Sequence, residues 1–314
     1  MSFSARVKDE LVRLPLGGPG EIRAELAALL LSSGRLDIGR PGVGLNWESE
    51  GAQVARRLYA LLRKAGEDLQ VQIRVGERGQ VGSTQRYRLN IPPQQGLTIF
   101  LEELGLTDNT GLPRGRVPLK ILSNPRNRRA YLRGFFLGRG SISNPESAYY
   151  LELLADREEV ARGLEQLLFS LELVPRRRER RDFHLVYLNR VDDILAFLNL
   201  TGAHQMLLDV ESNRVFKEMK ETVNRRVNWE TANLEKTIKA GLKQMEDIRL
   251  IALRRGLNNL PPGLQDIASL RVRYPHLSLQ ELGQHCRPPV GKSGVNHRLR
   301  RLSKIADEIR REGK

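Results

Sequence analysis

The sequence is poor in the residues that build disulfides and metal centres. Its 314 residues include one cysteine, Cys286, and five histidines. A single thiol cannot form an intrachain disulfide or supply the several thiolates of an iron–sulfur cluster or a cysteine-rich zinc site. The histidines lack the paired spacing of a zinc site, and His285 beside Cys286 is the nearest approach. We therefore expect no metal and no cofactor, in a reducing compartment.

Long apolar runs are also missing. No stretch approaches the roughly 18 apolar residues of a membrane span, and Arg6, Lys8 and Asp9 interrupt the N-terminal region where a secretory signal needs an apolar segment. We therefore expect a soluble, cytoplasmic protein with no membrane partner.

Negative charge is scarce relative to positive charge. Lys and Arg number 52 and Asp and Glu number 37, an excess of 52 − 37 = 15. Such an excess favours an anionic partner, although charge alone does not separate nucleic acid from an anionic membrane surface. With 40% hydrophobic residues the chain can bury ordinary cores, and its length favours two or three domains.

The first two thirds of the chain contain an internal repeat. AELAALLLSSGRL from Ala24 resembles AYLRGFFLGRGSI from Ala130, at an offset of 130 − 24 = 106, and VARRLYALL from Val54 matches VARGLEQLL from Val160 at 160 − 54 = 106. One spacing kept between two pairs of segments indicates a duplication. The offset falls to 187 − 88 = 99 at RLN (88–90) and YLN (187–189), which predicts a shorter hairpin in the second copy.

The hydrophobic pattern predicts the same element order in both copies: a helix, two strands, a helix, two strands and a short helix. In the first copy these elements are expected at 21–33, 35–39, 43–48, 51–65, 69–76, 85–91 and 97–105. In the second copy they are expected at 125–138, 140–143, 148–154, 157–172, 174–181, 184–189 and 191–199. The predicted fold is α+β, with a duplicated αββαββα domain whose halves span 1–115 and 116–206.

The first helix of each copy ends in a motif of small residues. LRGFFLGRG (132–140) resembles the LAGLIDADG motif of homing endonucleases, and LAALLLSSG (26–34) is a weaker match at the equivalent place. The resemblance implies two helices packed backbone against backbone beneath a DNA-binding saddle of strands. In active members the eighth motif position is acidic, so that two carboxylates share divalent metal ions. Here the degenerate former metal positions are Ser33 and Arg139, and we expect no catalytic residues.

Basic residues concentrate in one hairpin arm of each copy. One arm spans 74–88, and the other carries Arg176, Arg177, Arg178, Arg180 and Arg181. A two-stranded ribbon can enter a DNA major groove, so these arginines form a possible secondary DNA contact. The alternative is an edge strand kept charged to prevent pairing with other strands.

After Met206 strands give way to helices. Helical segments are expected at 211–225 and 230–255, with Gly241 and Gly256 as breaks, and together they form a predicted linker over 207–256. An all-α unit follows at 257–314. Its first helix, 264–274, sets four apolar residues near one face: Leu264, Ile267, Ala268 and Val272.

The end of the chain has the pattern of a helix-turn-helix. Ser278 and Glu281 form a capping box that starts a second helix, Gly283 lies where two helices would cross, and Ser293 starts a third helix. On that helix four residues would face the core: Val295, Leu299, Leu302 and Ala306.

A third helix of this kind lies in the DNA major groove, where Arg can recognise guanine and Asn can recognise adenine. The predicted base readers are Asn296, His297, Arg300 and Arg301. The predicted backbone contacts are Lys292, Ser293, Gly294 and Arg298, and Lys304 faces solvent beside them as part of the DNA-binding set.

The two degenerate halves, the segment FKEMKETVNRRVNWETANLEKT (216–237) and ELGQHCRPPVGKSGVNHRLRRL (281–302) together resemble the WhiA family of bacterial regulators over almost the whole chain. The resemblance implies sequence-specific binding to double-stranded promoter DNA, control of cell division or sporulation genes, association with the nucleoid, and partnership with a WhiB-type iron–sulfur regulator.

Two other classes are alternatives to this non-enzymatic regulator. The first is an active LAGLIDADG homing endonuclease, which Ser33 and Arg139 oppose because neither residue can replace a carboxylate ligand. The second is an RNA-binding or structural nucleoid protein. The helix-turn-helix opposes it, because an RNA major groove is too deep and narrow for a helix to read.

Overall fold

The computed structural model of the chain describes residues 1–40, 42–66, 68–76, 86–180 and 182–312. These residues divide into two compact units, Met1–Phe216 and Lys217–Lys314. Each unit has its own apolar core.

The first unit begins with a helix that was not predicted from the sequence. Helix α1, Phe3–Arg13, buries Phe3, Val7 and Leu11, and the Ser2 side chain caps it by accepting a hydrogen bond from the Ala5 N–H at 3.2 Å. The buried residues are spaced four apart, so one face of the helix is apolar. That spacing is the signal that could have predicted the helix.

The two halves that follow have the predicted order of elements. In the first half they are α2 Pro19–Ser33, β1 Gly34–Gly39, β2 Gly42–Ser49, α3 Ala52–Ala65, β3 Gln72–Val75, β4 Tyr87–Ile91 and α4 Leu97–Glu103. In the second half they are α5 Pro125–Arg139, β5 Gly140–Ile142, β6 Leu151–Ala155, α6 Glu158–Phe169, β7 Arg176–Arg180, β8 Phe183–Leu188 and α7 Val191–Thr201.

Both halves form a four-stranded antiparallel sheet with the same strand order, β1-β2-β4-β3 and β5-β6-β8-β7. The connection between β7 and β8 is shorter than the one between β3 and β4, in agreement with the change of offset. The predicted duplicated αββαββα fold is therefore confirmed.

Helices α2 and α5 approach each other closely enough to require small residues. A Cβ atom added to Gly134 would overlap the carbonyl oxygen of Glu25 and lie 3.1 Å from the Cβ of Ala28, and one added to Gly138 would overlap the Ser32 side chain. The backbones of the two helices are therefore in direct contact, as the motif predicts, and the ends of both helices lie beside each other.

The second unit starts within α8, His204–Arg254, which continues from the first unit. The prediction of two separate segments was wrong. Gly241 does not break the helix, because it lies in the interior of α8 and lets the helix approach the Pro275 carbonyl, which an added Cβ would meet at 2.5 Å. Helix α8 ends two residues before Gly256, whose φ of +74° favours glycine.

Three further helices complete this unit: α9 Pro262–Arg273, α10 Leu279–His285 and α11 Lys292–Glu312. The core residues expected from α9 are buried, with one exception. Val272 is 46% exposed, and the neighbouring Arg271 is buried instead. Its guanidinium donates to the carbonyl oxygens of Pro275 at 3.3 Å and Leu277 at 2.7 Å, which compensates for the burial of a charged group.

Candidate DNA interface

Helix α10 begins with the predicted capping box. The Ser278 hydroxyl accepts from the Glu281 N–H at 3.3 Å, and the Glu281 carboxylate accepts from the Ser278 N–H at 2.8 Å. The hydrogen bond from the Ser278 backbone N–H lowers the pKa of Glu281 most, and the Ser278 side chain lowers it further. The box fixes where α10 starts and so orients the helix that supports α11.

The turn between α10 and α11 closes against Gly283. The Val290 N–H donates to the Gly283 carbonyl at 2.9 Å. A Cβ on Gly283 would overlap the Val290 carbonyl oxygen and would lie 3.2 Å from Cγ2 of Val295. The predicted small residue therefore lies at the contact between α10, the turn and α11.

Helix α11 has one apolar face and one polar face. The four predicted core residues are buried, and Ile309 extends the same stripe: Val295, Leu299, Leu302, Ala306 and Ile309. Because a helix rotates by about 100° per residue, this stripe turns the centre of the opposite face outward. Four of the predicted DNA-binding residues lie there and are exposed: Ser293, His297, Arg300 and Lys304.

The remaining predicted residues lie beside this centre or at its edges. Lys292 and Arg301 are exposed, whereas Gly294 and Asn296 are partly buried. Arg298 is also partly buried, and it lies near the core side, where its guanidinium passes over Gly263 at the start of α9. The structure thus brings most of the set to one surface and sets Arg298 apart from it.

The basic side chains of this surface are not neutralised by neighbouring carboxylates. Among the described residues, no ion pair joins Lys292, Arg300, Arg301 or Lys304 to an acidic group. A cation that has no ion-pair partner in the protein does not have to break an ion pair when it binds an anion. This surface therefore suits a polyanion.

A buried carboxylate holds the back of α11 in place. Asp247 of α8 is 1% exposed, and it accepts from the Ser303 hydroxyl at 2.7 Å and from the Arg310 guanidinium at 2.6 Å. This residue was not predicted from the sequence, because an acidic position in a charged helix carries no signal of burial. It positions the outward face of α11.

His285 and Cys286, the nearest approach to a metal-site pattern in the sequence, have an aromatic and a buried environment. His285 stacks on Tyr274 with ring centroids 5.1 Å apart, and burial raises the pKa of the Cys286 thiol. Across the described part of the chain, no three His, Cys, Asp or Glu side chains are grouped to hold a metal ion.

The ends of α2 and α5 carry the degenerate motif positions. Ser33 and Arg139 are the last residues of these two helices, and the Arg139 guanidinium pairs with the Asp156 carboxylate. The Ser33 hydroxyl lies 3.4 Å from that of Ser32. A hydroxyl and an ion-paired guanidinium thus stand where two carboxylates would be needed to share a cation.

The basic arm of the second half forms β7, whose residues alternate between the two faces of the sheet. Arg177 lies on the side of α6, where it pairs with Glu158 at 3.2 Å and Glu165 at 3.8 Å. The exposed Arg176, Arg178 and Arg180 share the opposite face. Arg181 and most of the 74–88 arm lie outside the described residues.

The first sheet carries a polar row that was not singled out from the sequence. Cross-strand pairing aligns Arg35, Asn46, Asn90 and Gln72 on one face, and the Asn90 amide donates to the Asn46 side-chain oxygen at 2.7 Å. Arg74 and Arg88 pair in the next row of that face. The alternation of polar and apolar residues within each strand is the signal that could have identified it.

The geometry defines a class of protein: two LAGLIDADG-like domains without an acidic pair at their helix ends, followed by a helix-turn-helix domain. Three family profiles match the chain. They are described as a WhiA N-terminal LAGLIDADG-like domain over residues 19–107, a WhiA LAGLIDADG-like domain over 128–220 and a WhiA C-terminal HTH domain over 223–306. The chain belongs to the WhiA family.

Full-length relatives agree with this assignment. The chain is 43% identical to the probable cell division protein WhiA of Heliobacterium modesticaldum, over 100% of this chain and 98% of the relative. It is 41% identical to the protein of the same name from Halothermothrix orenii, over 99% of this chain and 100% of the relative. The crystal structure of full-length DUF199/WhiA from Thermatoga maritima superposes with a TM-score of 0.60 at 26% identity, covering 98% of this chain and 99% of that one.

Within the residues that the structure describes, no helix is both long enough and apolar enough to cross a membrane.

Proposed function

We propose that this protein is a transcription regulator that binds specific sites in double-stranded DNA and does not catalyse a reaction. The observation that carries the proposal is the polar, uncompensated basic face of α11, held outward by the buried stripe on its other side. The naming of its relatives as probable cell division proteins supports cell division genes as the targets.

The residues of α11 divide into two roles. Arg300 and Arg301 can donate two hydrogen bonds each to a guanine edge, Asn296 can pair with adenine, and His297 lies between them on the exposed surface. Lys292, Ser293 and Gly294 are in the first turn, where backbone N–H groups are open to a DNA phosphate. Lys304 completes the phosphate contacts on this face, whereas Arg298, which lies against Gly263, would have to reach a phosphate at the edge of the surface. These contacts set the register in which bases are read.

A second contact is proposed for the sheets of the first unit. The exposed Arg176, Arg178 and Arg180 would meet DNA phosphates, and the row of Asn and Gln side chains on the first sheet can bond base edges. Arg177 is occupied by two glutamates and contributes less to this contact. Both surfaces support the proposed association with the nucleoid.

The absence of catalysis is proposed from Ser33 and Arg139. Metal-dependent phosphodiester cleavage needs carboxylates to hold divalent ions over the phosphate. A positively charged arginine at one helix end would repel such an ion, even with its own charge shared with Asp156.

The family resemblance alone supports a further part of the proposal, which is partnership with a WhiB-type iron–sulfur regulator. If the partnership holds, adding the purified partner to a complex of this protein with promoter DNA will produce a complex of lower mobility.

The test begins with selection of bound fragments from a random duplex library, using the full chain. Arg300→Ala should then cost about 1 to 3 kcal/mol on the selected site and relax the preference at one base pair. Lys292→Ala should weaken binding to all duplexes alike and flatten the salt dependence. Arg300→Lys is the matched control, because it keeps the charge and removes the two-point contact with guanine.

Two results would contradict the proposal. Equal losses on selected and random DNA for both alanine variants would remove the assignment of base readers. Nicking of supercoiled plasmid by the pure protein with magnesium would show that the chain is a nuclease.

A further inference from the structure

An open cavity of about 1160 Å³ lies at the ends of helices α2 and α5. Ser33 and Arg139 line it from the two helix ends, and Arg35, Asn46 and Arg88 line it from the polar face of the first sheet. A cleaving enzyme of the same fold would hold divalent ions over a DNA phosphate at these helix ends. The cavity therefore lies where a phosphate would be received, and we refer to it as the helix-end cavity.

Lys8 of α1 brings an unpaired positive charge to this cavity. Its side chain lines the cavity and is partly buried, yet its Nζ atom is not fully enclosed. Among the described residues the ammonium has no hydrogen bond and no ion pair. The centroid of the Phe136 ring lies 5.7 Å from it. Burial alone lowers the pKa of Lys8 to about 8, as expected for a charge without a counter-ion.

The acidic residues of the cavity do not compensate Lys8. The other charged residues that line the cavity are Arg35, Asp37, Glu48, Glu50, Arg86, Arg88, Arg139 and Asp156. Glu48 pairs with the two arginines of β4 and its approach, and Asp156 pairs with Arg139. Asp37 and Glu50 are exposed, and neither contributes to the pKa of Lys8. Of the elements packed most closely against α1, α5 brings Arg139 to the cavity, and α3 and β5 bring no charged residue among those described.

An unpaired ammonium in this position is unfavourable for the folded protein. Removing a charge from water without giving it a partner destabilises the folded state, and a bound anion would supply that partner. Charged groups kept in such surroundings are concentrated at binding and catalytic sites. Lys8 therefore indicates that the helix-end cavity binds an anion.

We propose that the Lys8 ammonium and the Arg139 guanidinium bind a backbone phosphate of DNA in the helix-end cavity. Two cations of the protein then hold the phosphate that metal ions hold in a nuclease, and the Ser33 hydroxyl can donate a further hydrogen bond. Because Asp156 shares the charge of Arg139, Lys8 supplies most of the uncompensated charge. The inference deepens the second DNA contact and rests on the proposed function, since the cavity shares lining residues with the polar row of the first sheet.

The first experiment compares the affinity of the full chain for a duplex of random sequence over a series of salt concentrations. Lys8→Met should weaken binding about tenfold near 0.1 M salt and lower the slope of log affinity against log salt by about 0.9, the effect of losing one phosphate contact. Lys8→Arg should keep most of the affinity, because it keeps the charge. Lys64→Met is the matched control, since it removes an exposed charge on α3 outside the cavity.

The second experiment measures the same affinity at constant ionic strength as the pH changes. A bound phosphate raises the pKa of Lys8 back toward its ordinary 10.5, so the complex keeps the proton to a higher pH than the free protein does. The affinity should be highest below the free protein's pKa of about 8, and should fall about fivefold between about pH 7 and about pH 9.5. Lys8→Met and Lys8→Arg do not titrate in that range, so both should lack this fall.

The proposal is overturned if Lys8→Met, shown to be folded by urea titration, binds the duplex as tightly as Lys64→Met. It is also overturned if Lys8→Arg has the same pH dependence as the unmodified chain. Inorganic phosphate, exchanged for chloride at equal ionic strength, should compete with DNA equally in the unmodified chain and in Lys8→Met. Stronger competition in the unmodified chain would overturn the proposal by assigning the cavity to a small phosphate ligand.

Failure of this inference can be distinguished from failure of the proposed function. A chain whose DNA binding depends on Arg300 and not on Lys8 refutes the inference alone. A chain that binds no duplex at low salt refutes the proposed function, and the inference with it.

Discussion

The two halves of the first unit share a backbone and differ in what they bury at equivalent positions. Glu25 of α2 and Tyr131 of α5 are related by the repeat, since 131 − 25 = 106. The Glu25 carboxylate is 1% exposed and bonds Arg57 at 2.5 Å and Arg133 at 2.8 Å. The hydroxyl of Tyr131, equally buried, has no hydrogen-bond partner among the described residues.

The two halves also have different residues at the position of Arg57. Its repeat equivalent is Gly163, since 163 − 57 = 106. Arg57 joins Glu25 to the Leu14 carbonyl, whereas Gly163 makes room for Val117. The duplication therefore keeps the helix crossing and the order of strands. It does not keep the buried polar network around Glu25 and Arg57, which among the described residues connects to the second half through Arg133 and the Thr201 carbonyl that accepts from it.

The largest effect is expected from removing the carboxylate of this network. Glu25→Ala leaves the buried Arg57 and the partly buried Arg133 without their common partner, and should lower the free energy of unfolding by about 3 to 5 kcal/mol. Urea titration measures the change. The control is Glu103→Ala, which breaks an exposed ion pair with Arg23 and should cost less than about 1 kcal/mol. Similar losses for both variants would show that the buried network stabilises the fold no more than an exposed ion pair does.

The next effect tests what the halves have in common, which is the helix crossing. Gly134→Ala forces a methyl group against the Glu25 carbonyl, and should cost about 1 to 3 kcal/mol because two helix backbones must move apart. Gly39→Ala is the control, since a methyl group there meets open space. An unchanged denaturation midpoint for Gly134→Ala would mean that the crossing tolerates a wider separation.

The sequence alone predicts the shared features well, for a physical reason. Helix and strand periods follow from burial of one face, so the spacing of apolar residues is enough to predict both element orders and the outward face of α11. The small residues at Gly134 and Gly283 could be identified as contact points because backbone approach excludes side chains.

The sequence is less informative where the partner is distant in the chain. Glu25 and Asp247 are buried only because arginines reach them from other elements, and no local pattern reports that. Val272 was expected in the core by its apolar character, yet Arg271 is buried in its neighbourhood because two loop carbonyls accept its hydrogen bonds. Gly241 was expected to break a helix that packing keeps continuous.

A smaller effect concerns α1, which precedes the first half and has no equivalent before the second. Burial lowers the pKa of Lys8 from an ordinary 10.5 to about 8, and its ammonium lies 5.7 Å from the Phe136 ring centroid. Between these two pKa values the unfolded chain binds more protons than the folded chain, so the free energy of unfolding rises with pH in that window.

Lys8→Met should therefore raise stability at neutral pH by on the order of 1 kcal/mol and reduce its rise between about pH 8 and 10.5. Urea titrations at several pH values measure this. Lys64→Met, on an exposed part of α3, is the control. An equally steep rise in the Lys8 variant would mean that another group causes it.

The smallest effect is expected at Tyr131, whose unbonded hydroxyl occupies the position that the ion-paired Glu25 has in the first half. Its burial raises the pKa of the hydroxyl, so the group stays neutral. Since the hydroxyl has no partner to lose, Tyr131→Phe should leave the free energy of unfolding unchanged or raise it by up to about 1 kcal/mol.

Thr201→Val is the matched control. The buried Thr201 hydroxyl donates to the Phe197 carbonyl at 2.8 Å, so its loss should cost about 0.5 to 1.5 kcal/mol. A larger loss for Tyr131→Phe than for Thr201→Val would contradict this expectation, because it would show that the Tyr131 hydroxyl contributes to stability as a bonded group does.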